Sequence, residues 1–117
     1  MDISIVIPVF NEEAFVEQSL TSILTQTYAP KQLVVVDDGS TDNTVAIIRK
    51  LADAHPSVKL ITSDYASVHA PGEKVVRAFR RGFDALSDDW DVVCKFDADI
   101  VFPDNYLEKL KDAFSSN

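Results

Sequence analysis

Val92-Val93-Cys94-Lys95-Phe96-Asp97-Ala98-Asp99 is an apolar run that stops in two acids separated by one small residue. A short run of this kind, bounded by polar residues, has the pattern of a buried central strand. In open α/β sheets ligands bind outside the carboxyl ends of the strands, so Asp97 and Asp99 are placed to meet one. A second run has the same shape: Leu33-Val34-Val35-Val36 closes in Asp37-Asp38-Gly39-Ser40. With the two strands parallel and close, four carboxylates converge on one edge of the sheet. Like charges about 4 Å apart repel by about 1 kcal/mol in water and by about 4 kcal/mol at an effective dielectric near 20. Such a cluster requires a cation, a donor-rich ligand or a displaced pKa.

Working outward, Ile3-Ser4-Ile5-Val6-Ile7-Pro8-Val9-Phe10 is nearly continuous in apolar residues, as expected of a strand covered on both faces. Pro8 cannot donate to a ladder, so regular pairing on that side is expected to end near it. Asn11 reads as an N-cap, with Glu12 and Glu13 in the first turn, where the helix dipole favours acids. Val16, Leu20, Ile23 and Leu24 follow at helical spacing, and the helix is expected to end near Thr27 and Tyr28, before Pro30. After the second strand Asp42 reads as the cap of a helix carrying Val45, Ile48, Leu51 and Ala52 on one face. A short third strand is expected over 58–62 and a surface loop over 63–72. A helix over 73–86 sets Val76, Phe79, Phe83 and Leu86 against Lys74, Arg77 and Arg81, with Gly82 weakening it slightly. An acidic turn over 88–91 leads into the run quoted first. Beyond Pro103, Leu107, Leu110 and Phe114 form the stripe of a last helix. Strands alternating with helices predict a mostly parallel sheet with right-handed crossovers.

The 117 residues suit one domain. Hydrophobic residues at 46% and charged residues at 26% match an ordinary globular protein and argue against disorder. A net charge of -8 argues against nucleic acid as a partner; an anionic substrate then needs a metal. No apolar stretch approaches the roughly 18 residues that suggest a membrane span, and the amino terminus lacks a signal-peptide pattern. A cytoplasmic chain is the expectation. Cys94 is the single cysteine and lies within an apolar run, so neither a disulfide nor a cysteine zinc site is expected. His55 and His69 form no ligand pattern.

Three motifs in register carry a family resemblance. Ile5-Val6-Ile7-Pro8-Val9-Phe10-Asn11-Glu12, then Val34-Val35-Val36-Asp37-Asp38-Gly39-Ser40-Thr41-Asp42-Asn43-Thr44, then Phe96-Asp97-Ala98-Asp99 with Pro103 beyond, together resemble the nucleotide-binding half of the family 2 glycosyltransferases. The resemblance runs over essentially the whole chain, 1–117. It implies a Rossmann-like GT-A fold: a three-layer sandwich with a mostly parallel central sheet flanked by helices, ending soon after the Asp-x-Asp region. It also implies a UDP- or GDP-sugar donor, Mn²⁺ or Mg²⁺, and inversion at the sugar carbon. Pro8 and Phe10 would then sit at the nucleoside end of the pocket, with Glu12 lining it. Asp38 would accept from the base, Asp97 would face the ribose and metal, and Asp99 would reach the metal and through it the diphosphate. Lys74 and Arg77 are candidate phosphate contacts on a looser match. Hard carboxylate oxygens suit these cations, and a Lewis acid stabilises charge on a departing diphosphate.

Inversion also needs a base within hydrogen-bond reach of the acceptor hydroxyl. In the family that acid comes from a later segment, so no residue here is assigned to it. The chain is expected to be the amino-terminal part of a longer hexosyl- or related transferase and, alone, to transfer nothing. The acceptor, whether glycan, lipid or protein, is open. Bacterial polysaccharide or glycolipid assembly is the setting that the resemblance suggests, with any membrane contact peripheral at the cytoplasmic face. Self-association through an exposed edge is a further expectation.

Blander readings stand beside these. Asp42 can be only a helix cap, Asp37 can be an acid that fixes its loop by bonding backbone donors, and the Lys74, Arg77 and Arg81 stripe can be a solvated face. The alternatives for the chain as a whole are a noncatalytic nucleotide-binding or interaction module and a response-regulator receiver. The receiver places its acids after the first and third strands, whereas here they follow the second and fourth. Dinucleotide and P-loop motifs are absent, because the three glycines form no phosphate loop.

Overall fold

The computed structural model describes residues 1–62, 71–87 and 89–115, with 71–77 by backbone alone. Strands β1 (Ile3–Val9), β2 (Gln32–Asp37), β3 (Val58–Thr62) and β4 (Val92–Lys95) form one parallel sheet in the order β3-β2-β1-β4. Each strand is followed by a helix: α1 (Val16–Leu24), α2 (Thr44–Ala54), α3 (Pro71–Asp84) and α4 (Tyr106–Ser115).

Side chains alternate across a strand, and in β1 and β2 both sets are apolar because both faces are covered. Ile3, Ile5, Ile7, Leu33 and Val35 pack against Val16, Leu20 and Ile23 of α1, Ile48 of α2 and Leu107 of α4. Val6, Val34 and Val36 face the other way, onto Ala78 of α3 and Leu86. The result is helices, sheet and helix in three layers, an α/β architecture. Ile3, Ile5 and Ile7 are fully buried, each stabilising the fold by about 1.5–3 kcal/mol.

Pro8 falls where its missing donor costs least. The carbonyls of Ile3 and Val9 accept from Lys31 and Asp38 on the β2 side, whereas that of Val6 accepts from Phe96 at 3.2 Å on the β4 side. By alternation the Pro8 nitrogen faces β4. Pairing of β1 with β4 stops at Val6 with Lys95, while pairing with β2 runs on to Val9 with Asp37.

Several expectations are corrected. β4 is an edge strand among the described residues, only partly buried, and it ends at Lys95 rather than Asp97; pairing on one side leaves its outer face open. Asn11 caps no helix. Its φ is 50°, and a turn in which Phe15 and Val16 donate to the Glu12 carbonyl precedes α1, which begins only at Val16. The expected loop over 63–72 is shortened by α3, which starts at Pro71, and residues 63–70 lie outside the described ones. The buried line of α3 also differs. Phe83, expected on the buried stripe, is 41% exposed and Ala78 is buried in its stead, while Leu86, just beyond the helix, is buried as expected. Gly82 sets this rotation. A Cβ there would stand 2.3 Å from Val6 Cγ1 and 2.9 Å from Val36 Cγ2, so the absent side chain is what lets the helix lie against the sheet.

Candidate functional site

Because the strands are parallel, the carboxyl ends of β1, β2 and β4 open onto one edge, and the loops that leave them carry the acids. In the last loop Ala98 is buried against the main core at 4% exposure. Its neighbours Asp97 and Asp99 are exposed on either side of it. One small anchored residue thus turns two carboxylates outward. Asp97 pairs with Lys95 at 3.2 Å, an exposed contact that adds little to stability.

The return of this loop to α4 is fastened from beneath. Phe96, Phe102 and Tyr106 form an aromatic triad with centroid separations of 4.5, 5.1 and 5.9 Å. Ser22 Oγ accepts from Phe102 N at 3.0 Å, and Thr27 N donates to the Asp104 carbonyl at 2.8 Å. Buried Gln26 donates to the Pro103 carbonyl and accepts from Leu107 N at 2.8 Å, satisfying a donor in the first turn of α4. Sequence reasoning missed Gln26. A long polar side chain just past an apolar helical stripe was the only signal available.

At the end of β2 the two acids have separate tasks. Asp37 is 2% exposed, and its Oδ2 accepts from Gly39 N at 3.2 Å and Ser40 N at 3.1 Å. It holds the turn in which Gly39 takes a φ of 86°, as the blander reading anticipated. Its Oδ1 is buried without a partner among the described residues. Asp38 is 6% exposed and tied to β1 through its N–H to the Val9 carbonyl at 3.0 Å.

Glu12, from the β1 loop, lies within the field of the other acids. Desolvation raises its carboxyl above the ordinary glutamate value, and the charges of Asp99, Asp42 and Asp97 raise it further. Burial also disfavours ionisation of Asp42, but hydrogen bonds from the Thr44 hydroxyl and the amides of Thr44 and Glu13 outweigh it and lower its pKa. The cap itself is not where the sequence placed it: α2 starts at Thr44 with Asn43 in the N-cap position and no side-chain cap bond, and Asp42, one residue further out, instead accepts from Thr44 N at 2.9 Å.

The edge therefore gathers Glu12, Asp97 and Asp99, with Asp38 at the β2 end and Phe10, 42% exposed, beyond β1. Pro8 lies in the penultimate β1–β2 pair. The side chains of Lys74 and Arg77 lie outside the described residues. Among the described residues no three His, Cys, Asp or Glu side chains could hold a metal ion by themselves. The donor set fits instead the habit of Mg²⁺-like cations, which take one or two carboxylates and complete their shell with substrate phosphates and water.

Comparison with known proteins bears on the fold and the family. The chain is 35% identical over 77% of its length to the Escherichia coli protein WfgD, named a UDP-Glc:alpha-D-GlcNAc-diphosphoundecaprenol beta-1,3-glucosyltransferase. Staphylococcus aureus TarS, solved in complex with UDP-GlcNAc, superposes with a TM-score of 0.72 at 29% identity, covering 98% of this chain and 30% of that one. The mannosyltransferase PcManGT from Pyrobaculum calidifontis, solved with GDP-Man and Mn²⁺, gives a TM-score of 0.70 at 27% identity, covering 86% of this chain and 28% of that one. The chain spans only 8–35% of the length of eight curated relatives that it matches. A family model described as Glycosyl transferase family 2 matches residues 4–117, and the chain belongs to that family.

Proposed function

We propose that this chain forms the donor and metal site of a metal-dependent, inverting glycosyltransferase, which moves a hexosyl or related group from a UDP- or GDP-sugar to a glycan, lipid or protein acceptor. The observation that carries the reading is the gathering of Asp97 and Asp99, turned outward around buried Ala98, with Glu12, whose carboxyl both of them perturb. Asp99 and Asp97 hold Mn²⁺ or Mg²⁺, which supplies Lewis-acid stabilisation of the departing diphosphate. Asp38 accepts from the nucleobase, Asp97 also faces the ribose, and Pro8, Phe10 and Glu12 line the nucleoside side. Lys74 and Arg77 contact phosphate. The base that deprotonates the acceptor is assigned to no residue of this chain, which alone binds donor without transferring it. The family resemblance suggests a site in the cytoplasm with any membrane contact peripheral, and no described helix is long and apolar enough to cross a membrane.

Calorimetric titration of UDP and GDP into the chain, with and without Mn²⁺, tests the reading. Metal-dependent binding to one nucleotide, abolished by Asp99→Ala, is expected. Binding indifferent to both metal and Asp99→Ala, or no binding to a folded chain under any condition, overturns it.

A further inference from the structure

The loops after β1 and β2 are joined by hydrogen bonds at three successive residues. Asn11 N donates to Ser40 Oγ at 2.8 Å, and Asn11 Oδ1 accepts from Thr41 N at 2.8 Å. Glu12 N donates to Thr44 Oγ1 at 2.9 Å. Glu13 N donates to Asp42 Oδ2 at 3.4 Å, while Glu13 Oε2 accepts from Asn43 N at 3.2 Å. Thr44 is the hub: it is fully buried, and its hydroxyl accepts from Glu12 while donating to Asp42 Oδ1, which also takes Thr44 N at 2.9 Å. Asn11 gives the clasp its shape. A positive φ is unfavourable for most side chains but tolerated by asparagine, and this one bonds the opposite loop through both its amide N–H and its side chain.

We propose that Thr44 and Asn11 are positioning residues that lock the two loops into a single rim, fixing Glu12 relative to Asp38 before a nucleotide arrives. The proposal rests on the donor-site reading for the identity of the ligand, but the lock itself is a property of the loops. A preorganised rim strengthens binding because its ordering is completed on folding.

Thr44→Val keeps the shape and removes the hydroxyl; Thr44→Ser restores it. Asn11→Gly keeps the positive φ and removes the side-chain acceptor, at an exposed position where failure to fold is not expected. The readouts are amide hydrogen exchange in the chain and titration with UDP and GDP in the presence of Mn²⁺. In the wild type, the Glu12 and Thr41 amides are expected to be protected. Thr44→Val should speed exchange at both, although the Thr41 partner is untouched, and Asn11→Gly should do the same at Glu12. Thr44→Val and Asn11→Gly should each weaken nucleotide binding about five- to tenfold, the worth of a net hydrogen bond or slightly more. Thr44→Ser should return both readouts to near wild type. Faster exchange confined to the amide that lost its own partner overturns the lock. Joint release of both amides with nucleotide affinity unchanged overturns the positioning role. A wild type that binds neither nucleotide, with joint release of the two amides in Thr44→Val and Asn11→Gly, defeats the donor-site reading while the lock stands, so the two failures are distinguishable.

Discussion

Replacing Gly82 by alanine forces a methyl group into space that two valines already fill. The added Cβ would lie 2.3 Å from Val6 Cγ1 and 2.9 Å from Val36 Cγ2, against a comfortable carbon–carbon separation of about 3.5 Å. Val6 and Val36 are fully buried, and β-branched side chains have few rotamers with which to yield. The relief must come from α3 moving away from the sheet by about 1 Å, loosening its contact with Val6, Val34 and Val36. Overpacking of this kind costs about 1–3 kcal/mol. Alanine regains about 1 kcal/mol of helix propensity over glycine, and the severity of the clash places the expected net loss at about 1–2 kcal/mol. For a domain of this size that is a fall in Tm of roughly 4–8 °C, measured by circular dichroism of the two chains under one condition. Helix propensity alone predicts the opposite sign. An unchanged or higher Tm for Gly82→Ala would refute the argument that the glycine sets the helix-to-sheet spacing.

Glu12→Gln reports on the acidic edge. A carboxyl whose folded pKa is raised contributes stability below its ordinary value of 4.5, and loses it as pH rises through the folded value. The variant should therefore melt above the wild type at pH 7, with the difference shrinking below about pH 4.5; a difference independent of pH, or a less stable variant at pH 7, would show that Glu12 does not feel Asp99, Asp42 and Asp97. Gln26→Leu removes the partners of Leu107 N and the Pro103 carbonyl. Leu107 N is buried, and left unpaired it costs about 1–3 kcal/mol, so denaturant unfolding should show a loss of about that size; a loss under about 0.5 kcal/mol would mean that the triad of Phe96, Phe102 and Tyr106 holds the return to α4 without Gln26.

The parallel sheet was legible because β1 and β2 are apolar at nearly consecutive positions, the pattern expected of a short strand covered on both faces, and because each run closes in polar residues. Pro8 added the side on which pairing stops. The place of β4 at the edge among the described strands was not legible: Val92, Val93 and Cys94 are as apolar as a central strand, and the strand order depends on contacts far apart in the chain. Asn11 misled for a local reason. Followed by two glutamates, it has the composition of a helix start, but its side chain is taken by Thr41 in another loop. Gly82 could be read only as a weak point in a helix, since its value lies in what it leaves room for on a different strand. Of the candidate site, Asp97 and Asp99 were legible from the run that delivers them, whereas the roles of Thr44 and Gln26 arise from partners 32 and 81 residues away.

The most direct test of the donor site is paramagnetic broadening of the amide spectrum by Mn²⁺ in the presence of UDP and, separately, GDP. Broadening centred on Glu12, Asp97 and Asp99, reaching Asp38 and removed by Asp99→Ala, is the predicted result. Broadening centred instead on the acidic turn at Asp89 and Asp91, or spread evenly over the surface acids and indifferent to Asp99→Ala, would contradict it.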